Sequence, residues 1–526
     1  MPSDAKPRNS AKKALPSFTA LYLTADLRVL GMARIAYGLV LFYDLFRRAR
    51  ELRLLYTNEG VLSNHYLLFR PQANPQISFL MPFSTVAEVS TVFAAIAILY
   101  LFYTFGLFTR VAQVLVLLSI TSLNARNLAV EDGGVATMIA FAVWTVFLPL
   151  GDRYSLDAIR RDAALKSVAL RVRARKQASR PFVSLAVLAL SLQIVAIYFL
   201  NALHKTGRTW ADGDAVHLVL WQARVNTPFA YWLAQHEPAW FSPLATRATL
   251  VLEYAIPLLI LYPNAASRVT GIACSFALHL GIAIIMTLGP FSYAMMALVL
   301  TRLPGEAVDR AAGRVPLRLR QRLVRARARL ARRCSDWVWR HGPARPPRRK
   351  LPWRKLREGA VVFVMLAAAL ELSNANPAVR WKLPQPEWLA DAVLYPRMTQ
   401  RWSMFAPDAP RDDGYGVIDG VTADGRHIDP FTGEPPDFDR LEKGLIPGTL
   451  ESIDYLFTLH FRDNERYRAE LVRYVTAEWH EQDGRSDADR IVEFSFYWVS
   501  RKSPPRGSTT PGPSERELVM HHRGKR

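Results

Sequence analysis

"FVSLAVLALSLQIVAIYFLNALHK", Phe182 to Lys205, is an apolar run that meets no charge until its last residues. About 20 apolar residues suffice to cross the roughly 30 Å hydrocarbon core of a bilayer as a helix. The stretch therefore reads as a membrane-crossing helix. It ends on His204-Lys205 and breaks into "TGRTWADGDAV", Thr206 to Val216, a polar and aromatic loop. Outward from it, further apolar blocks near 27–46, 85–108, 112–126, 134–150, 246–262, 268–288, 289–303 and 359–373 read the same way. The 526 residues are half hydrophobic, and the hydrophobic half is gathered into these blocks rather than dispersed. The expected fold class is mainly α, a multi-pass transmembrane helical bundle of about nine spans with a small C-terminal α+β extramembrane domain.

Charge orients the bundle. The chain carries a net +22, concentrated between Arg160 and Arg180 and between Arg310 and Arg357. Loops rich in Lys and Arg stay cytoplasmic. With the basic N-terminus inside, nine crossings put both clusters on the cytoplasmic side and deliver residues 374–526 to the outer face. Arg47, Arg48, Arg50 and Arg53 fall outside in this arrangement and count against it. The start, "MPSDAKPRNSAKKALPSF", is basic but leads into a run containing Arg34 and ending in "DLFRR", which reads as a retained span rather than a cleaved signal. The two cysteines, Cys274 in an apolar run and Cys334 in a basic loop, are not expected to meet.

The domains expected are a basic tail at 1–20, a transmembrane unit at 21–303, a basic cytoplasmic segment at 304–358, a last span at 359–373, an outer α+β domain at 374–502 and a disordered tail at 503–526. In "RLRQRLVRARARLARR" leucines and valine at 317, 319, 323, 324 and 330 interleave with arginines at near-helical spacing. Flanked by spans, this amphipathic segment fits the anionic surface of the bilayer better than nucleic acid. "GYGVIDGVTADGRHIDPF", Gly414 to Phe431, reads as a hairpin around Asp424-Gly425. There Asp419, Asp424 and Asp429 serve turn formation rather than calcium. "SIDYLFTLHFRD" and "IVEFSFYWVS" read as strands, with "RYRAELVRYVTAEWHEQ" as a helix between them. The Pro/Ser/Gly-rich end lacks the composition of a packed element.

Ionisable residues within apolar spans are expensive, by roughly 3 to over 10 kcal/mol, and are functional candidates by default. Arg34, Glu253 and His279 lie within spans. Arg34 and Glu253 read either as a buried ion pair or as site residues, and His279 either as a helix-bonded histidine or as a functional one. Lys205 reads either as an anchor extending to the interface or as a base. A lysine in a dehydrated pocket walled by an aromatic such as Trp210, with His204 alongside, loses stabilisation of its ammonium and can act as a neutral amine. No phosphate-binding glycine loop, His-Glu-x-x-His, metal-spaced Cys/His cluster or nucleophile elbow is present. His521-His522 lies in the tail.

The set "RIAYGLVLFYDL" (Arg34–Leu45), "LYTNEGVLS" (Leu55–Ser63), "FLPLGDRYSLD" (Phe147–Asp157), "NALHKTGRTWADGDAV" (Asn201–Val216) and "RWSMFAPDAPRDDG" (Arg401–Gly414) resembles the HTTM family, membrane proteins related to vitamin K-dependent γ-carboxylase. The resemblance implies that Lys205, with Trp210 five residues on, is the base that deprotonates a quinol, reduced vitamin K or menaquinol. O₂ then drives formation of a strong base, a substrate glutamate loses its γ-proton and CO₂ is taken up. It also implies that His279, before "GPFSY", is a second active-site histidine, with His204, Trp210, Arg34 and Glu253 at the quinone. "NLAVEDGGVATM", Asn127 to Met138, holds no counterpart of the family's further histidine, so carboxylation itself is in doubt. The carboxylase's cysteine pair and propeptide-recognition surface also lack equivalents. The partners implied are the lipid bilayer and a secreted or membrane protein substrate, with no nucleic acid. The alternative is a non-catalytic scaffold or maturation factor holding a secreted client through residues 374–526. A transporter is disfavoured, because no inverted pair of broken spans is evident.

Overall fold

The computed structural model describes residues 17–69, 77–164, 181–319, 351–444, 446–482 and 484–524, together with 321, 322, 325, 326 and 329. Cys334, the clusters at 165–180 and 330–350, and most of the expected basic tail lie outside the described residues.

Among the described residues nine helices form the body: α1 Leu27–Arg50, α2 Val86–Phe105, α3 Thr109–Arg126, α4 Gly133–Val146, α5 Leu185–His204, α6 Phe241–Leu261, α7 Ala265–Ile285, α8 Phe291–Leu300 and α9 Leu351–Ala375. Five of them, α1, α2, α5, α6 and α7, are long and apolar enough to cross a membrane. The others fall short of the nine spans expected from sequence for identifiable reasons. α4 and α8 have only 14 and 10 residues. α3 carries Arg110, Gln113, Asn124 and Arg126 within its 18 residues. The first third of α9, "LPWRKLRE", is charged.

Local chemistry sets the ends. Thr85 and Glu88 form a capping box at the start of α2, and Gly106, in the left-handed region at φ 69°, ends it. Asp26, Asp132, Ser184 and Asn264 cap α1, α4, α5 and α7 through their side chains. Burial separates the helices into two groups. In the apolar windows of α1 and α5, 61% and 67% of residues are buried, against 28% in α2, α6 and α7. The first two are therefore the centre of the bundle. The outer three expose Ile98, Val251, Leu258 and Ile284, the composition of a lipid-facing surface.

The C-terminal part is an antiparallel sheet of order β2-β1-β3-β4, with β1 Asp412–Thr422, β2 His427–Ile428, β3 Ile491–Lys502 and β4 Glu515–Arg523. Two expectations are corrected here. "SIDYLFTLHFRD" is not a strand but mostly helix, within α10 Leu450–His460. A Thr449/Ser452 capping box starts it, and Tyr455, Leu456 and Leu459 bury one face. The expected disordered tail at 503–526 is, over its described residues 503–524, not a tail, because β4 pairs with β3 from Ser500↔Glu515 to Glu493↔Arg523.

This domain docks on one end of the bundle through an apolar core shared between the two. Polar bonds fix the seam: Ser63 N donates to Glu470 (2.8 Å), Thr458 Oγ1 to the Ala129 carbonyl (2.7 Å) and Arg473 to the Asn58 carbonyl (2.8 Å).

Candidate active site

Lys205 is the C-cap of α5. Its backbone leaves the helical region (φ −80°, ψ 63°) and turns the side chain back into the protein. The ammonium donates to both carboxylate oxygens of Glu253 on α6, at 2.5 and 2.6 Å, and the two side chains are 4% and 8% exposed. Lys205 is thus a buried partner, not an anchor reaching for water. Trp210 closes the other side, its ring centroid 4.5 Å from the lysine nitrogen, a cation–π contact in a water-poor setting.

A strap from the C-terminal domain seals the pair. Trp210 Nε1 donates to the Phe405 carbonyl (2.8 Å), Gly207 N to the Pro407 carbonyl (2.9 Å) and Thr209 N to Asp408 Oδ1 (2.8 Å). The Met404 N–H reaches Asn201 Oδ1 on α5 (2.8 Å). Trp402 and Phe405 hold left-handed backbone at φ 38° and 55°, conformations that cost ordinary residues energy and cluster at functional sites. The bond from Thr209 N–H holds the Asp408 carboxyl below its usual range.

His279 lies deeper, on α7, and is 2% exposed. Its Nε2 pairs with the Tyr198 hydroxyl (2.8 Å), which also meets Ser275 Oγ (2.7 Å). The Phe291 ring stands edge-on at 5.4 Å. His279 Nδ1 is buried without a hydrogen-bond partner among the described residues. Tyr198 precedes Lys205 by seven residues, which places both on one face of α5 about 10 Å apart along its axis. The two groups thus share a helix face at different depths and do not touch.

The remaining sequence candidates separate. His204 points to the start of the C-terminal domain, where its Nε2 meets Asn376 Oδ1 (2.9 Å). Asn376 in turn donates to the Gln400 and Arg401 carbonyls, so His204 supports the strap and not the lysine. Arg34 lies at the opposite end of the bundle. There it donates to the carbonyls of Leu150 (2.8 Å) and Tyr154 (2.5 Å) in the turn after α4. An Arg34–Glu253 pair does not form; the carboxylate belongs to Lys205. Arg47 and Arg48, which weighed against the orientation, are held by acids: Arg48 by Asp44 (2.8 Å), Arg47 by Asp132 (2.8 Å) and Glu451 (3.1 Å).

Tyr198, Ser275, Asn201 and Asn376 were missed from sequence. Hydroxyls and amides in apolar runs read as core, and only the seven-residue spacing of Tyr198 and Lys205 carried a signal. Among the described residues no group of three or more His, Cys, Asp or Glu side chains is arranged to hold a metal ion.

Apolar helices of membrane-spanning length, a docked C-terminal domain and a buried lysine–carboxylate pair at their junction define a helical membrane protein with an enclosed polar centre. The HTTM domain model matches residues 22–303, more than half of the chain, and the chain belongs to that family. No curated protein and no solved structure matches it.

Proposed function

We propose that the chain is an integral membrane enzyme resembling vitamin K-dependent γ-carboxylase, in which Lys205 and Glu253 accept a proton from a quinol hydroxyl. The observation that supports this most is the inward turn of Lys205 onto Glu253 beneath Trp210. An interfacial anchor has no use for a buried carboxylate and an aromatic lid. The residues present suit a quinol: Trp210 and Phe291 offer flat apolar walls, and the buried Nδ1 of His279 has no hydrogen-bond partner among the described residues. Reduced vitamin K or menaquinol, when bound, supplies the acidic hydroxyl and, with O₂, the oxidising equivalents for carboxylation with CO₂ or a related modification.

Within the chain, one proton shared between amine and carboxylate leaves the pair without net charge. Accepting a second gives it a single positive charge, in a water-poor site where that charge holds an anion strongly. Trp210 and the 401–409 strap exclude water, and His279, oriented by Tyr198 and Ser275, positions an oxygen. In the same reading the N-terminus is cytoplasmic and the C-terminal domain is extracytoplasmic. The substrate is then a secreted or membrane protein presented at that domain.

The test uses full-length protein in nanodiscs with reduced menaquinone or vitamin K and O₂, quinone epoxide being measured by mass spectrometry. Epoxide from wild type that is absent from Lys205→Ala supports the base. No epoxide from folded wild type with either quinol overturns the reading in favour of a non-catalytic scaffold or maturation factor, a role that would fail on deletion of residues 374–526 and not on Lys205→Ala.

A further inference from the structure

The face opposite the C-terminal domain holds a second buried cationic centre. The far end of α7 and the near end of α8 lie beside that domain. Thr227 N bonds to the Ile285 carbonyl, and Gly289 abuts Arg47 and Asp132. The first turn of α7, with Arg268, and the residues after α8, with Arg302, are therefore at the other end of the bundle. Both guanidiniums converge on one backbone oxygen, the Leu21 carbonyl, Arg268 at 2.7 Å and Arg302 at 3.3 Å. Arg302 is 4% exposed, and the Nε atoms of both arginines are buried without a hydrogen-bond partner among the described residues. Neither guanidinium forms an ion pair with a described carboxylate. Of the acids on this face, Asp26 and Asp309 are taken by Arg28, and Glu306 is exposed on the first turn of the helix Gly305–Arg314.

Arginine forks with unfilled donors and no carboxylate of the chain match an oxyanion, and at a membrane face the tetrahedral oxyanion of a phosphate is the one a phospholipid presents. The two guanidiniums meet at one carbonyl without a counterion, an arrangement that an anion would neutralise. We propose that Arg268 and Arg302 form a binding site for a phosphate oxyanion, the headgroup of an anionic phospholipid or a free phosphate. The surroundings favour the headgroup. The short helix Phe18–Tyr22 runs alongside with Phe18 60% exposed, and the Tyr22 hydroxyl bonds to the Leu261 carbonyl (2.9 Å), placing an apolar anchor next to the arginines. The site is independent of Lys205 and its chemistry.

The experiment compares full-length wild type, Arg302→Gln and Arg268→Gln in nanodiscs of phosphatidylcholine with and without phosphatidylglycerol. It reads thermal unfolding and, by native mass spectrometry, the phospholipid retained. Wild type is expected to hold an anionic phospholipid and to melt higher as phosphatidylglycerol is added, with each variant binding about tenfold more weakly. In phosphatidylcholine alone, millimolar inorganic phosphate that stabilises wild type and not Arg302→Gln would support the site and assign it to the free anion. Equal lipid retention and equal melting responses in all three proteins would overturn the proposal, as would a response to neither probe. Should the glutamine variants fail to insert, Arg302→Lys keeps the charge while losing the fork. Undiminished retention by that variant would equally overturn the site as an arginine fork.

Discussion

A lysine at the end of a membrane helix ordinarily extends its stem along the apolar surface and leaves its amine in water. Lys205 gives up that hydration for two oxygens of Glu253 and the face of Trp210. Losing one partner of a buried pair typically destabilises a protein by about 3–5 kcal/mol, because the other is left unpaired. Replacing both by apolar residues of similar volume is often neutral. Glu253→Gln is therefore expected to lower the unfolding temperature markedly. The double variant Lys205→Met/Glu253→Leu should recover most of that loss and still form no epoxide. A double variant as unstable as Glu253→Gln would show that the pair does not act as a unit. Lys205→Arg separates charge from base: a guanidinium keeps the ion pair but holds its proton at any working pH. It should insert and fold normally with no turnover, read as unchanged melting beside lost epoxide; retained turnover would remove the lysine from the chemistry.

Among the elements, the strap Arg401–Gly414 makes the site a joint product of bundle and C-terminal domain. Its closest approach is at Gly207, where an added Cβ would lie 2.2 Å from the Asp408 carboxylate. Gly207→Ala should lift the strap from α5, and hydrogen exchange at residues 404–409 should rise while that of α5 itself stays slow. Unchanged exchange across the strap would mean that Asp408 can move aside without loss. The long apolar run of α5 and its Lys205–Trp210 ending were legible in the sequence because membrane-length hydrophobicity and its polar break are one-dimensional signals. The partner of Lys205 was not, since Glu253 could pair with either cation until helix packing chose. α10 was misread because "SIDYLFTLHF" alternates well enough for a strand, and the capping box at Thr449 decided otherwise. β4 was missed because a Pro/Ser/Gly loop precedes it and its charged residues are those of an edge strand.

For the whole molecule, the junction between bundle and C-terminal domain couples stability to pH. Burial pushes the carboxyls of Asp413, Asp429 and Asp454 up to about 6, against the pull of nearby arginines and backbone N–H groups. At ~4 to 6 the folded state binds more protons than the unfolded chain, where aspartate titrates near ~3.9, so stability falls as pH rises through that window. His217 adds to the trend. Its ring nitrogens face two acceptors, the Glu237 carboxylate and the Pro504 carbonyl, an arrangement that favours the protonated ring. Burial opposes that charge, but these bonds outweigh it and the pKa is raised. Its contribution is present below the unfolded value of ~6.5 and is lost as pH rises through the folded one. His460, held down by burial, works the other way below ~6.5, and Asp408, Asp437 and Asp489, held low, do so below ~4. Above pH ~4 three aspartates and a histidine act against one histidine, so the optimum lies near pH ~4 and stability falls above it. Full-length protein in nanodiscs should melt progressively lower from pH 5 to 8. Asp413→Asn and Asp454→Asn, which fix the uncharged form at the two positions nearest the bundle loop at 223–224, should flatten that slope by raising the melting point at neutral pH. A melting point that rises with pH in wild type would mean that the junction carboxylates are ionised and paired in the folded protein.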